Sequence, residues 1–375
     1  MSWKSDSGVT SRARASVNVK AQSGAVLFVF MALVFVVLTS VLVAKYSIRT
    51  LRLERLNDSL QAMQQAKELL VGYSLRQARL GSLPCPATTP AGIENVTANG
   101  CAQKLGFLPF RTLEREPLVD GYGALLLYAV DESFTSNSPA QLNPSLVSPL
   151  TVDGGNGIFA VIAPGAPLNS LARNNLNYAA FLEGINNDGD FNTYAQGSTA
   201  DENDVVLALG PIDYWALVEK RLLIRLGEYL SAYNSACGQL PWAGNFADSN
   251  SASVNNSQQG GFPFDSASPF DWNQVGACSQ ALGIPSALSL HWEGQVYYEF
   301  CLAAEGACLS LTGDSVKNVS VVLMAPGSIL ATQNRANTAL SDFFEGNNAI
   351  VDRQFQAFLL PNLNNQLNDT LHVIF

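Results

Sequence analysis

The first part of the chain combines one long apolar segment with an amphipathic one. From Ala25 to Ala44 there is no charged residue, Gly or Pro. As a helix this segment would be about 30 Å long, enough to cross the hydrocarbon core of a bilayer. Beyond Lys45 apolar residues recur at three- and four-residue steps, which is typical of a helix with one apolar face. That stripe comprises Leu53, Leu56, Leu60, Met63 and Leu70. The pattern predicts one helix over residues 25–79, or two helices joined near Lys45.

The remainder alternates short apolar runs with loops rich in Gly, Pro, Asn and Ser, and it does so twice. Residues 163–186 align without a gap with residues 325–348, and ten of the 24 positions are identical. Each copy follows an apolar run that predicts a buried strand. Each copy also has a Glu-Gly pair, which we interpret as the end of a short helix at a Gly cap. The matched positions include Arg173/Arg335, Asn175/Asn337, Phe181/Phe343 and Glu183/Glu345.

Further landmarks keep the same order in both copies and define the domain organisation. They are Leu83-Pro84 and Leu240-Pro241, Gly123–Val130 and Gly294–Cys301, and Asn203-Asp204 and Asn368-Asp369. We expect a polar N-terminal segment (residues 1–24), a transmembrane part of the helix (25–44), the rest of that helix with a first head (45–212) and a second head (213–375). Each head reads as α+β, a helix packed on a mostly antiparallel sheet. In the second head that helix is predicted over 213–233.

Charge and composition narrow the class of protein. The formal net charge of −10 and the pI near 4.7 leave no basic surface for nucleic acid. With 47% hydrophobic residues the chain is not disordered, whereas a charged fraction of only 14% favours an exported protein. Before the apolar segment, four Lys and Arg residues oppose a single acid, Asp6, which favours a cytoplasmic N-terminus.

Six cysteines lie beyond the apolar segment, at Cys85, Cys101, Cys237, Cys278, Cys301 and Cys308. An even number on one side of a membrane predicts disulfides in an oxidising compartment, although six reduced, buried thiols are the alternative. Sequential pairing is one of 15 connectivities. We favour it because the bracketed loops correspond between the two copies.

Candidate chemistry is sparse. Asp188 and Asp190 lie in the segment NNDGDFN, where oxygen ligands alternate as in a calcium loop, but the bidentate Glu of an EF-hand is missing. Plain turn residues are the stronger interpretation. The only histidines are His291 and His372, and no nucleophile, phosphate-binding or dinucleotide motif occurs. We therefore predict no catalytic residues, no enzymatic activity, no cofactor and no zinc site. His372 is expected in the last strand and His291 at the start of another.

The segment KAQSG-AVLFVFMALVF resembles the leader of type IV prepilins, which a prepilin peptidase cuts after Gly. The resemblance implies a cut between Gly24 and Ala25. Most major pilins have Glu at the fifth mature position, where this chain has Val29, and that difference favours a minor pilin or pseudopilin. The motifs GSLPCP, LGFLPFRTL and DGYGALLLYAV resemble pilin-like proteins of Gram-negative bacteria with a duplicated head.

This resemblance implies a structural role in a type IV pilus or type II secretion assembly. The protein would be a single-pass protein of the bacterial inner membrane with periplasmic heads, and the stem helix would pack against other pilins, with the protein at the filament tip. An uncut membrane anchor carrying a periplasmic or surface binding module is the alternative, with exposed aromatics such as Trp242, Phe270 and Trp272 as its contacts. A membrane-anchored hydrolase is a third reading.

Overall fold

The structure is a computed structural model of the 375-residue chain. It describes residues 22–168, 173, 177–197, 202–247, 254, 256–264, 283–313, 317–357 and 368–374. For residues 22–25 and 42–48 only the backbone is described.

Three α-helices and sixteen strands make up the described chain. The helices are α1 (Gln22–Ser74), α2 (Pro211–Cys237) and α3 (Ser286–Trp292). The strands of the first half are β1 (Val96–Thr97), β2 (Gly100–Cys101), β3 (Leu105–Phe107), β4 (Leu127–Val130), β5 (Thr151–Val152), β6 (Gly155–Asn156), β7 (Phe159–Ala163), β8 (Thr193–Tyr194) and β9 (Val205–Leu209). Those of the second half are β10 (Gln259–Gly261), β11 (Tyr297–Phe300), β12 (Leu309–Thr312), β13 (Lys317–Val319), β14 (Val321–Ala325), β15 (Gln354–Gln356) and β16 (Thr370–Ile374).

The chain divides into two compact units, residues 1–55 and 56–375. Where it is described, the first unit consists of α1 up to Arg55. The large apolar side chains described between Val26 and Val41 are all exposed, by 40% to 79%. No helix long and apolar enough to cross a membrane is found among the described residues. The second unit contains the end of α1 and all the strands, and its fold class is α+β.

Both halves of the second unit have the same sheet topology. Each has a four-stranded antiparallel sheet, in the order β3-β4-β7-β9 and β10-β11-β14-β16. Each also has a three-stranded sheet, β6-β5-β8 and β13-β12-β15, whose middle strand pairs antiparallel on one side and parallel on the other. The duplicated sequence therefore folds as a duplicated arrangement of strands.

Strand pairing corrects one detail of the repeat alignment. The sequence alignment matched Gly123–Val130 with Gly294–Cys301. The pairing of β4 with β7 and of β11 with β14 instead makes Val130 equivalent to Phe300. Tyr128 then matches Tyr298, and both are fully buried in the same core. A shift by one residue would turn each side chain to the opposite face of the sheet. The matched glycines lie before the strands and do not set the register.

The central strands are buried on both faces. In β7, Phe159 and Val161 belong to a core shared by both halves, while Ala160 and Ile162 belong to a smaller core beneath the first three-stranded sheet. The second half repeats this alternation in β14, where its own small core includes Val322 and Met324. The two-sided burial explains why these strands are continuously apolar.

Helix α1 is continuous, so two helices joined near Lys45 do not occur. It ends at Ser74, before the predicted residue 79, and turns lead on to Gly81. Of its predicted apolar stripe, Met63 and Leu70 are buried in the shared core. The earlier leucines of the stripe, Leu53, Leu56 and Leu60, are exposed.

Two other local expectations were wrong. The region of His291 forms helix α3, not the start of a strand. Each Glu-Gly pair begins a short helix instead of ending one, because Glu183 and Glu345 are the N-cap residues of the 3₁₀ helices Gly184–Asn187 and Gly346–Ala349. Helix α2 is longer than predicted and packs on β14 and β16.

Candidate functional site

A cluster of charged and amide side chains connects the loop after β7 to the start of β9. Arg173 Nη1 donates to Gly165 O at 2.6 Å, and Arg173 Nη2 lies 3.4 Å from Glu183 Oε1. The guanidinium also lies over the Phe181 ring, 5.5 Å from its centroid. Glu183 Oε2 in turn accepts from the backbone N–H of Asn203, at 3.2 Å. The loop is therefore tied to the edge strand by a continuous polar chain.

The second half builds the same cluster with its matching residues. Arg335 donates to Pro326 O at 3.0 Å and lies 5.2 Å from the centroid of the Phe343 ring. Glu345 Oε2 accepts from the N–H of Asn368 at 3.0 Å. One contact differs, because the other Glu345 oxygen accepts from Gln333 Nε2, at 2.6 Å. No ion pair between Arg335 and Glu345 is found within the described chain.

An aspartate completes each cluster. Asp204 Oδ2 accepts from the Glu183 N–H at 3.2 Å and from Asn186 Nδ2 at 3.1 Å. Asp369 Oδ2 accepts from the equivalent groups of Glu345 and Asn348, at 3.1 and 3.0 Å. Both aspartates are buried, with exposures of 0% and 4%. Their Oδ1 atoms have no hydrogen-bond partner among the described residues.

Burial raises the pKa of Asp204 to about 7, with a further contribution from the carboxyl group of Glu183, which is close enough for a hydrogen bond. Burial likewise raises the pKa of Asp369 well above its usual range, and Glu345 adds to the effect. The pKa values of Glu183 and Glu345 are also raised, chiefly by burial. A proton on Oδ1 of the aspartate would allow the aspartate to donate a hydrogen bond to the glutamate. The pair would then carry one negative charge, and the cost of burying two adjacent charges would be avoided.

A further carboxylate holds the turn at the start of each loop. Asp120 Oδ2 accepts from the Gly165 N–H at 2.8 Å. In the second half Glu219 of α2 accepts from the Gly327 N–H, also at 2.8 Å. Burial raises the pKa of Glu219 to about 8. Gly165 and Gly327 have φ of +68° and +65°, a conformation that favours glycine.

The role of these clusters is structural, because their side chains form hydrogen bonds with backbone atoms of neighbouring loops. The sequence identified their members as matched residues of a repeat, but it did not show that they meet. The available signal was the recurrence of Arg, Glu-Gly and Asn-Asp in the same order. Asn175 lies outside the described residues.

The two histidines have structural partners. His291 Nδ1 accepts from the Leu142 N–H at 3.3 Å, and the His291 carbonyl accepts from Asn143 Nδ2 at 3.0 Å. Burial, and secondarily the charge of Arg79, lowers the pKa of His291 to about 4. His372 lies in β16, the edge strand of the second sheet, and burial lowers its pKa.

The calcium candidates lie in an exposed turn. Asp188 Oδ1 accepts from the Asp190 N–H at 2.7 Å. Asp190 accepts from the Asn192 N–H at 3.1 Å and from the Thr193 hydroxyl at 2.8 Å. No group of three metal-ligating acids, histidines or cysteines occurs in the part of the chain that the structure describes. The contacts are those of turn-forming aspartates.

Disulfides join Cys85 to Cys101 and Cys301 to Cys308, two of the three favoured pairs. Cys237 is also disulfide-bonded, and Cys278 lies outside the described residues. At the processing position, Gly24 and Ala25 lie in the first turn of α1, where only the backbone is described. Leader residues 1–21, Phe270 and Trp272 are outside the described residues. Trp242 is half-buried and packs against Phe300, with ring centroids 5.7 Å apart.

Comparison with protein-family models, with curated proteins and with solved structures found no match to this chain.

Proposed function

We propose that the protein is a structural minor pilin or pseudopilin of a type IV pilus or type II secretion assembly. The observation that carries the proposal is the form of α1. Its first part presents exposed apolar side chains from Val26 to Val41, and its last part is buried in the core of the α+β unit at Met63 and Leu70. Within the described residues, one helix thus has an exposed apolar segment followed by a segment that is part of the folded core.

In this proposal residues 25–44 hold the chain in the bacterial inner membrane, and the two tandem heads of residues 45–212 and 213–375 lie in the periplasm. On assembly the apolar side chains of α1 pack against the same segment of other pilins. Full burial of a Val, Leu or Phe side chain contributes about 1.5–3 kcal/mol, so a few such residues suffice for stable packing. Catalytic groups and cofactors have no part in this function.

The position in the filament follows from the size of the folded unit. Two tandem heads are bulkier than one, and a bulky head obstructs regular helical stacking. We therefore place the protein at the filament tip, where it has neighbours on one side only. Immunogold labelling of filaments should mark their ends; label distributed along the shaft would contradict a tip position.

The decisive experiment is to measure the N-terminal mass of the protein purified from membranes of its native host. We expect a mature chain that begins at Ala25, because prepilin peptidase would cut after Gly24. A Gly24→Val variant should keep the leader, whereas the matched control Gly8→Val should be processed normally. An intact Met1 in the wild-type protein would contradict a pilin function.

An intact leader would instead favour the second candidate, a membrane-anchored binding module. A surface cavity beside Trp242 and Phe300 is the observation that favours it. In that case α1 serves as an anchor only, and the function lies in the heads.

A further inference from the structure

A small cavity lies where three segments of the second unit meet. It has a volume of about 60 Å³. Its lining comes from the first half between the loop before β5 and β6, from the first turns of α2 and from the turn after β14. The lining residues that decide its chemistry are Val147, Ser148, Asn156, Pro211, Trp215 and Ser328. Because the segments belong to both repeats, a group bound here would contact both halves.

The indole N–H of Trp215 is a buried hydrogen-bond donor at this cavity. Trp215 is completely buried, and its Nε1 has no hydrogen-bond partner among the described residues. Burial of a donor without a partner is unfavourable, so folded proteins satisfy nearly all such groups with protein atoms, water or ions. Trp215 is therefore the strongest indication that the cavity binds a hydrogen-bond acceptor.

Two serines of the lining supply further donors. Ser148 and Ser328 are only 8% and 7% exposed. Ser148 Oγ accepts from the Leu150 N–H at 3.2 Å, which leaves its hydroxyl proton free to donate. The Ser328 carbonyl accepts from Asn368 Nδ2 at 2.7 Å, but its hydroxyl makes no hydrogen bond with another described residue. In the first repeat the aligned residue is Ala166, so this hydroxyl is not part of the duplicated framework.

The charges around the cavity favour an anion over water. Pro211 is the first residue of α2, and the N-terminal end of a 27-residue helix carries partial positive charge. Arg335 Nη2 donates to the carbonyl of Gly327, the residue before Ser328, at 3.3 Å. None of the described residues that line the cavity is acidic, and Asp213 in the first turn of α2 is exposed and outside the lining. A water would also need acceptors for its two protons, whereas the indole and the two hydroxyls are free to donate.

We propose that this cavity binds a small monovalent anion of the halide class, such as chloride, which joins the two halves. The anion accepts from Trp215 Nε1 and from the hydroxyls of Ser148 and Ser328. One water needs roughly 10–15 Å³ of such space, so the cavity of about 60 Å³ holds a monatomic ion but not a bulky anion such as gluconate. Val147 and Asn156 are exposed, which leaves a path from solvent.

The inference is independent of filament assembly and is tested by thermal unfolding of the full chain in lipid nanodiscs. Sodium chloride replaces sodium gluconate at constant ionic strength, because an ion that binds only the folded protein raises its melting temperature. We expect a saturable rise of about 2–4 °C between no chloride and about 0.5 M chloride.

Two tryptophan variants locate the effect. Trp215→Phe removes the N–H and keeps an aromatic ring, so it should abolish the rise. Trp292→Phe is the matched control and should keep the rise. Trp292 is also completely buried, with an Nε1 that has no partner among the described residues, but it does not line the cavity.

A third variant, Ser328→Ala, introduces the residue that the first repeat has at the aligned position 166. It should raise the chloride concentration at half-saturation about tenfold, because a hydrogen bond to the charged ion is lost. An unchanged melting temperature of the wild type between gluconate and chloride would overturn the proposal, as would an equal rise in folded Trp215→Phe. Crystals of the full chain soaked in bromide should show an anomalous peak within hydrogen-bonding distance of Trp215 Nε1. Water alone at that place would contradict an anion site.

Discussion

At the scale of single residues, the most informative feature is the pair of adjacent carboxyl groups in each half, of which the aspartate is buried. Asp204 and Glu183 lie in contact, and each accepts backbone hydrogen bonds that fix its position. Two adjacent buried carboxylates repel each other, so one shared proton lowers the cost of burial. Arg173 beside Glu183 balances the remaining negative charge. The Asp369–Glu345 pair repeats the arrangement, which indicates a role in holding the loop after each central strand.

Replacing Asp204 by Asn should therefore change how stability depends on pH. The pKa of Asp204 is higher in the folded than in the unfolded chain, so its favourable contribution is complete below about pH 4 and is lost as the pH rises through about 7. Asn carries a permanent donor in place of the acid proton. We expect Asp204→Asn to be more stable than the wild type at pH 8, by about 1–4 kcal/mol, and close to it at pH 4.5.

Urea unfolding at the two pH values measures this difference. The matched control is Asp188→Asn, an exposed aspartate of the neighbouring turn, which should leave the difference between pH 4.5 and 8 unchanged. Asp369→Asn should behave like Asp204→Asn, because burial and its glutamate neighbour act on it in the same direction. A variant less stable than the wild type at pH 8 would contradict a raised pKa, because the ionised aspartate would then stabilise the folded protein.

At the scale of elements, α3 and the loop of residues 140–146 connect the two halves. His291 of α3 accepts from Leu142 of that loop through Nδ1, and Asn143 donates to the His291 carbonyl. The histidine must be neutral to accept this bond. Its half-buried position and the charge of Arg79 both oppose protonation.

The connection should weaken in acid. The pKa of His291 is about 4 in the folded chain and near 6.5 when unfolded, so its contribution is complete above about pH 6.5 and is lost as the pH falls toward 4. His291→Gln keeps an acceptor that does not titrate. We expect the melting temperature of this variant to fall less than that of the wild type between pH 6.5 and 4.5.

Differential scanning calorimetry at intervals of half a pH unit gives this comparison. At pH 7.5 the two proteins should differ little, because His291 is neutral in both the folded and the unfolded wild type. If the melting temperatures of the two proteins changed in parallel over the whole pH range, His291 would not be the group that weakens the connection in acid.

At the scale of the whole folded unit, the two repeats share one hydrophobic core. Trp215 of α2 contacts Phe134 in the first half and Trp292 in the second, with ring centroids 6.2 and 6.0 Å apart. The same cluster includes Met63 of α1 and Ile374 of β16. The repeats are therefore two copies by sequence and topology but one packing unit.

We expect residues 56–375 to unfold in one cooperative transition, although chains of this size commonly unfold in steps. Trp215→Leu should lower the stability of that single transition by about 2–4 kcal/mol, because it removes ring contacts with both halves. Leu217→Ala, at a position 43% exposed on the same helix, is the control and should cost less than about 1 kcal/mol. Calorimetry that resolves two transitions in the wild-type protein would contradict a shared core.

The sequence by itself determined the α+β class and the internal repeat. These follow from local signals, since apolar periodicity specifies helix or strand and Gly and Pro mark turns. It also predicted that His372 lies in the last strand, β16, which follows the Asn368-Asp369 pair. The membrane segment and the pilin function remain predictions from the sequence.

Only the tertiary structure decided how the two repeats combine. The sequence predicted two separate heads, whereas in the structure Trp215 and its neighbours form one core with residues of both repeats. It also decided the strand register, the position of His291 in α3 and the meeting of Arg173, Glu183 and Asp204. The physical reason is that these features depend on contacts between residues far apart in the chain. The local periodicity of the sequence does not specify which distant residues pair or are buried together.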